Sequence, residues 1–522
     1  MTTLVLGRTM RNSSAALILA GLLGIASMAS ADDKKKAPPP PPPPKAAPAV
    51  QAPRPAGNPG GGEMPRTNNA PSAYHPNSTG PSTNQPYRSG PSANNPGKEP
   101  ILIPNVPNAP NAQFAPRGQS TAHLQPSIAR GSVEHKTASG NSVLMRPNGK
   151  PSEIHDAKLG MSIHHGLNGG SRVSVEHPDH SRTVFQRGRP GFVQHPYSFR
   201  GHDFGRRSYF YHGRSYDHFY YGYPYRGLYL NVYGPSFYYG AGFYGWAYNP
   251  WAAPISYGWG WAGNPWYGYY GYYFAPYPSY PSASYWLTDY LISSNLQTAY
   301  DAHKDAGEVD GIPPSIPGPP ELTPEVKQQI ADEVRNQLAL ENQEAASNAQ
   351  QVDVDPGSSG IDRILSDAAR GKQHVFVVAS ALDVVNASQT ECTLSDGDVL
   401  ALATAPPADA KFADLVVLSS KGVEECQKQA VVSISFEDLQ EMQNHMRETI
   451  DQGLQQLQAK QGKGGLPAAP SSAQAPPVPA QYASIAPPSD PSAAAEIQQQ
   501  AQQADQAEKE VTAEASQPNA IH

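Results

Sequence analysis

SVLMRPNGKPSEIHDAKLGMSIHHGLNGGSRVSVEHPDHSRTVF, residues Ser142–Phe185, alternates short β-forming runs with turn chemistry and decides the fold of the middle of the chain. Ser142 to Arg146, then Pro147-Asn148-Gly149, then Ile154 reads as one hairpin. Arg172 to His177, then Pro178-Asp179, then Thr183 to Phe185 reads as another, because Pro presets a turn and Asn, Asp or Gly completes it. Met161 to His165 and the turn Gly166 to Gly170 supply a strand and loop between them. The pattern predicts a β-meander over residues 127–200.

Tyr209-Phe210-Tyr211, Tyr220-Tyr221 and Leu228 to Tyr233 carry this meander into a Tyr/Gly/Trp-rich β region expected over residues 201–300, its strands cut short by Gly and Pro. From Gly227 to Thr288 there is no Asp, Glu, Lys, Arg or His, and all six Trp of the protein lie in this stretch. Such residues offer stacking faces and phenol hydroxyls rather than acids, bases or nucleophiles, so the block suits adhesion, interfacial contact or self-association. The candidate contact aromatics are Trp246, Trp251, Trp259, Trp261, Trp266 and Tyr267.

With Tyr257-Gly258-Trp259-Gly260-Trp261 and Asn264-Pro265-Trp266-Tyr267-Gly268, the block resembles in composition the Tyr/Trp/Gly-rich low-complexity segments of uncharacterised exported bacterial proteins. That resemblance implies export and surface display, and no activity. The two X-Pro-Asn/Asp turns are also similar to those of long β-repeat families of bacterial surface proteins, a likeness confined to the meander that carries no functional residue across.

Export is expected from the first residues as well. Arg8 and Arg11 precede an apolar core from Ala15 to Ala26, and Ala29-Ser30-Ala31 supplies a small-residue cleavage pattern, so residues 1–31 read as a signal peptide. The expected location is the periplasm, the cell surface or the medium. Residues 32–126 read as a disordered Pro-rich linker with decapeptide repeats, PSAYHPNSTG from Pro71 and PSTNQPYRSG from Pro81, since proline every fifth residue forbids helix and sheet. Two cysteines in an exported chain favour one disulfide, Cys392 to Cys426. Charge is divided: residues 1–320 hold 26 Lys and Arg against 16 Asp and Glu, and residues 321–522 hold 12 against 29. A basic front half leans on anionic polymers or lipid head groups.

The remainder reads as a Pro-rich hinge over 301–322, an amphipathic helix over 323–350 capped by Thr323, a small disulfide-bonded α+β domain over 372–462, a Pro/Ala linker over 463–492 and a C-terminal helix over 493–515. Within the α+β domain the expectation is a barrel-like sheet of about five strands followed by a long helix. Ser435 caps that helix, and its apolar face is Leu439, Met442, Met446, Ile450, Leu454 and Leu457. The fold class is therefore multi-part: a disordered Pro-rich N-terminal region, a β-meander with aromatic-rich strands, a small α+β domain and flanking amphipathic helices.

No phosphate loop, zinc-protease helix or Gly-x-Ser-x-Gly elbow occurs. Histidines are dense between His155 and His218, and His164, His165, His177 and His180 are weak metal candidates; no Cys or Glu completes a ligand spacing, so neither metal nor cofactor is expected. The Arg and Tyr mix around Arg206, Arg207, Arg214 and Arg226 suits nucleic acid, but export removes that partner. The function expected is that of an exported, non-enzymatic envelope or surface protein making multivalent aromatic contact. Its partners would be anionic envelope polymer, polysaccharide, a lipid interface or a copy of itself. The alternative is an envelope hydrolase or metal-dependent enzyme using the His-rich meander.

Overall fold

The computed structural model describes residues 128–307, 321–352, 355–422 and 425–516. The expected signal peptide, the Pro-rich linker and most of the 301–322 hinge lie outside these residues.

Ten antiparallel strands form one sheet in sequence order. They are β1 (Val133–Lys136), β2 (Ser142–Met145), β3 (Pro151–Asp156), β4 (Met161–His165), β5 (Ser171–Glu176), β6 (Arg182–Gln186), β7 (Gly191–Phe199), β8 (His202–Tyr211), β9 (Arg214–Tyr225) and β10 (Leu228–Gly234). The turns obey the sequence: in Pro147-Asn148-Gly149, Gly149 sits at φ 77°, a conformation that a Cβ strains. Asn148 Oδ1 closes that turn by accepting from the Lys150 N–H at 3.0 Å.

Register then fixes the two faces, because side chains alternate along a strand. Val143, Ile154, Ile163, Val173 and Phe185 stand directly opposite one another across five strands, an unbroken apolar row. The last helix lies over this row with Ala504, Ala507 and Val511. The opposite face carries Arg182, Gln194, Arg207 and His218 in one cross-strand row, and Val184, Phe192, Tyr209 and Tyr216 in the next.

After the two-residue strand β11 (Phe237–Tyr238), the aromatic block is helical and looped rather than extended: α1 (Ala241–Tyr248), α2 (Pro265–Tyr270) and α3 (Ala283–Ala306). This corrects the expectation of a β region to residue 300. Ala283, Leu287, Leu291 and Ile292 are buried at helical spacing on α3, a stripe that the Tyr and Trp around it conceal in the sequence. The same helix runs into the expected hinge and stops at Gly307, whose φ of 78° is left-handed. Next come α4 (Pro324–Gln350), with Thr323 accepting from the Val326 N–H, and α5 (Ile361–Ala369).

The second sheet comprises β12 (Val375–Val377), β13 (Leu382–Asn386), β14 (Glu391–Leu394), β15 (Val399–Leu402), β16 (Phe412–Ser419) and β17 (Val431–Ser435). Its order is β12-β15-β16-β17-β13-β14, an open six-stranded sheet and not the barrel-like closure expected. Cover replaces closure: Val375, Val377 and Val416 pack in a core with Ile330 and Val334 of α4, while Phe376, Leu415 and Ile434 face Ile361 and Ile364 of α5. Burial on both faces explains the continuous apolar run of β16. Cys392 and Cys426 are joined in a disulfide with Cα atoms 5.0 Å apart. In the chain-entropy picture, closing a loop of that length contributes roughly 3–4 kcal/mol.

Helix α6 (Phe436–Lys460) follows β17 directly, its first turn capped by Ser435 Oγ accepting from the Asp438 N–H at 3.1 Å. The expected stripe from Leu439 to Leu457 is buried. At Gly453 a Cβ would stand 2.4 Å from Leu287, so glycine is what lets α3 and α6 approach here. The 463–492 segment is packed rather than a free linker: β18 (Val478–Pro479) pairs with β11, and α7 (Gln481–Ser484) buries Tyr482 with its hydroxyl donating to the Pro235 carbonyl at 2.7 Å. Helix α8 (Ala493–Ala515) ends the described chain, and Glu514 accepts from Asn141 Nδ2 at 2.8 Å.

Strand β10 is an edge of the first sheet, and an edge leaves main-chain groups unpaired. Asn444 of α6 supplies them: its Nδ2 donates to the Asn231 carbonyl at 2.7 Å and its Oδ1 accepts from the Tyr233 N–H at 2.8 Å. Asn444→Leu should destabilise the protein by about 2–4 kcal/mol, because two buried backbone groups lose their partners. Urea unfolding measures this, and a loss below about 0.5 kcal/mol would remove Asn444 as the edge cap.

Candidate ligand cleft

Between the polar face of the first sheet and α6 lies a cleft of about 400 Å³. Its floor is the pair of cross-strand rows through Arg182 and Tyr209, and its wall is the α6 stripe Asp438, Glu441, His445 and Glu448. Spacings of three and four keep that stripe on one side of the helix. Sequence and register therefore build both surfaces without any special loop.

Arg207 is the most constrained group. Its Nε donates to Gln194 Oε1 at 2.8 Å, its terminal nitrogens donate to the two oxygens of Glu441 at 2.9 and 2.7 Å, and its guanidinium lies over the rings of Tyr220 and Phe192. Planarity allows all of this at once, as an ammonium would not. Burial pushes the Glu441 carboxyl up, but Arg207, supported by Arg182 and Arg172, reverses that and holds it at about 2 against an ordinary 4.5. Glu448, two turns on, goes the other way: burial raises it, although His445 and the hydroxyl of Tyr220, which donates to it, oppose the rise. His218 is pushed down to about 4 by burial and by Arg207. The cleft thus holds one carboxyl held low by its arginines, one pushed up by burial, and an imidazole that burial holds low.

At the mouth, the rings of Tyr209 and Tyr216 stack with centroids 5.0 Å apart and planes 1° from parallel. Tyr216 is 39% exposed, so part of the pair reaches solvent. Arg172 and Arg182 stand beside Arg207 but are less well matched. Among the described residues their carboxylate contacts within 4 Å are Asp438 at 3.7 Å and Glu441 at 3.9 Å.

The residues singled out in the sequence fall elsewhere. Trp251 and Trp266 are buried, and Trp246, Trp259, Trp261 and Tyr267 are half-buried against the same core. Trp259 stacks on Trp261 at 4.5 Å and on Trp286 at 4.7 Å, and its indole N–H donates to Tyr280. His164 and His165, adjacent on β4, reach opposite faces: His164 meets Glu153 and Asp383, and His165 meets Glu508 of α8. His180 stacks on Tyr229, and His177 is exposed in the same turn. Among the described residues no group of three or more His, Cys, Asp or Glu is placed to hold a metal ion, and no helix is long and apolar enough to cross a membrane. Sequence reasoning missed Arg172, Arg182, Tyr216, Glu441 and Glu448. Carrying the hairpin register from β5 to β9 would have put the first three on one face of the sheet, in successive cross-strand rows.

Comparison with protein-family models, with curated proteins and with solved structures gave no match.

A depressed carboxyl stabilises the fold above its unfolded value and stops doing so as pH falls through its folded value. The Glu441 contribution is therefore complete above about 4.5 and lost toward about 2. The stability difference between wild type and Glu441→Gln should be largest at pH 6 and shrink toward pH 2. Chemical unfolding across that range checks it, and a difference independent of pH would show that Glu441 is not held ionised by its arginines.

Proposed function

We propose that this protein is an exported, non-enzymatic envelope or surface protein that holds cell-envelope polymer by aromatic and polar contact, with the α6 cleft as its seat. The observation that carries the reading is the stacked Tyr209 and Tyr216 pair, partly exposed at Tyr216, on a cleft lined with fixed donors and acceptors. A flat ring face beside hydrogen-bonding groups suits a saccharide ring, whose faces are apolar and whose rim is hydroxylated. The tryptophan block supports this indirectly, by filling the core on which α3 and α4 rest. Export rests on the signal-like first residues and on the compositional resemblance of the aromatic block.

Purified protein should be retained on peptidoglycan or immobilised polysaccharide in preference to neutral liposomes. Tyr216→Ala should weaken retention by about two- to twelvefold, the equivalent of about 0.5–1.5 kcal/mol of stacking. Retention on neither polymer, or a Tyr216→Ala variant that binds as wild type, would defeat the proposal.

A second reading, an envelope hydrolase, is favoured by one observation. Glu441 and Glu448 line one cleft with their proton affinities driven apart, the arrangement that separates an ionised carboxylate from a general acid. Its seat would be α6 and not the His-rich meander. On this reading wild type releases reducing ends from cell-wall polymer and Glu448→Gln lowers the rate at least a hundredfold; absence of release by wild type leaves the binding function alone.

A further inference from the structure

Three guanidinium groups converge on the cleft floor from neighbouring strands, and they are unequally satisfied. Arg207 is saturated, with its fork matched to Glu441 and its Nε held by Gln194. Arg182 is not. Its Nε donates to Ser174 Oγ at 3.3 Å, and its nearest carboxylate oxygen, Glu441 Oε1 at 3.9 Å, already accepts from Arg207 at 2.7 Å. Arg172 stands 3.7 Å from Asp438, each side chain about a third exposed. Asp438 is itself engaged at the α6 cap, where its Oδ2 accepts from Ser435 Oγ at 2.6 Å.

Three arginines face Asp438 and Glu441, and Glu448, at the far end of the helix stripe, is directed to Tyr220. Glu176, directly opposite Arg182 across β5 and β6, and Glu437 are exposed and act on Arg182 through charge, with no ion pair to it within 4 Å among the described residues. Arg189, which also lines the cleft, is matched to Asp396 through both terminal nitrogens, while Gln186, Ser294, Thr298 and Gln452 offer hydrogen bonds without charge. A planar guanidinium lacking a matched partner in a half-enclosed site is suited to an oxyanion brought in by a ligand.

We propose that Arg172 and Arg182 form the seat for the anionic group of an acidic saccharide whose ring stacks on Tyr216, so that the cleft selects carboxylated over neutral glycan. This rests on the polymer-binding reading of the same cleft. The carboxylate would lie between the two guanidinium groups, displacing Arg172 from its long contact with Asp438, while Arg207 and Glu441 stay locked as the wall behind it.

The test uses the full protein and three probes in calorimetry: an oligogalacturonate, a neutral galactan oligomer of equal length, and inorganic phosphate. The oligogalacturonate should bind at least tenfold more tightly than the neutral oligomer. That preference should vanish in the double variant Arg172→Gln, Arg182→Gln, and thermal unfolding of the variant establishes that it is folded. Should the double variant fail to fold, the wild-type preference must still shrink as ionic strength rises from about 0.02 to 0.5 M. Equal affinity for acidic and neutral oligomers, a preference that survives the double substitution or high salt, or phosphate competing as well as the oligogalacturonate each overturns the inference. In the first two cases, loss of affinity in Tyr216→Ala would leave the broader binding reading standing. If neither oligomer binds and Tyr216→Ala changes nothing, both fall together.

Discussion

The structure depends on one buried helix that is apolar on one side and charged on the other. Leu439, Met442, Met446, Ile450, Leu454 and Leu457 of α6 complete the hydrophobic cores, while Glu441, Asn444, Glu448 and Asp451 address the first sheet. A buried carboxylate is tolerated only when it is paired and hydrogen-bonded, and each of these groups has its partner on a neighbouring strand: Arg207 on β8, Tyr220 on β9, and Asn231 and Tyr233 on β10. The pairings are geometric restraints more than sources of net stability. A one-residue slip of β8 would turn Arg207 to the α8 side and leave Glu441 without its bidentate partner, so the helix fixes the sheet register and the sheet fixes the helix rotation.

The aromatic block solves a related problem. A stretch without charge from Gly227 to Thr288 ends at Asp289, which is fully buried and bonded to Lys327 Nζ at 2.6 Å. Tyr280 Oη and the Tyr277 N–H donate to the same carboxylate at 2.7 and 2.6 Å, and Lys327 Nζ also donates to the Ala275 carbonyl at 2.7 Å. The loop between α2 and α3 is thus tied to an ion pair that bridges α3 and α4. Its rings pack around that pair, Tyr277 lying 3.7 Å from the ammonium. Aromatic richness here reads as core material for irregular backbone, where Tyr and Trp fill space and still offer a polar tip.

Much of this was legible in the sequence, and the losses have physical causes. The strands of the meander, the caps of α4 and α6 and the cysteine pair each rest on local chemistry within a few residues, which is what a single sequence reports well. The open sheet was not legible because closure depends on which helices cover its edges and faces, a long-range matter. The helices of the aromatic block were hidden because high β propensity is a statement about half-buried pleated surfaces, and tertiary burial overrode it. The 463–492 segment reads as linker by composition, yet Tyr482 anchors it: one buried ring with its hydroxyl satisfied outweighs a Pro/Ala background. The cleft was lost for a different reason. Its arginines are scattered over residues 172 to 207 and become neighbours only through register.

That same register explains why the meander is able to carry a site at all. The period of two sorts each strand into an apolar side and a polar side, and antiparallel pairing lines up like with like across the sheet. The row from Val143 to Phe185 is covered by α8, a thin helix whose buried contacts are largely alanines, so it seals the apolar side without needing a deep core. The second face cannot be sealed in that way. Arg182, Arg207 and His218 stand in line where a packed interface would want apolar groups, and α6 answers with carboxylates rather than leucines. Charged side chains of unequal length fill space less completely than aliphatic ones, and of the two arginines in that row Arg207 alone reaches its partner with full geometry. The gap left between the remaining pairs is the cleft, which is why its walls are fixed by the fold and its unmatched charge belongs to the arginines.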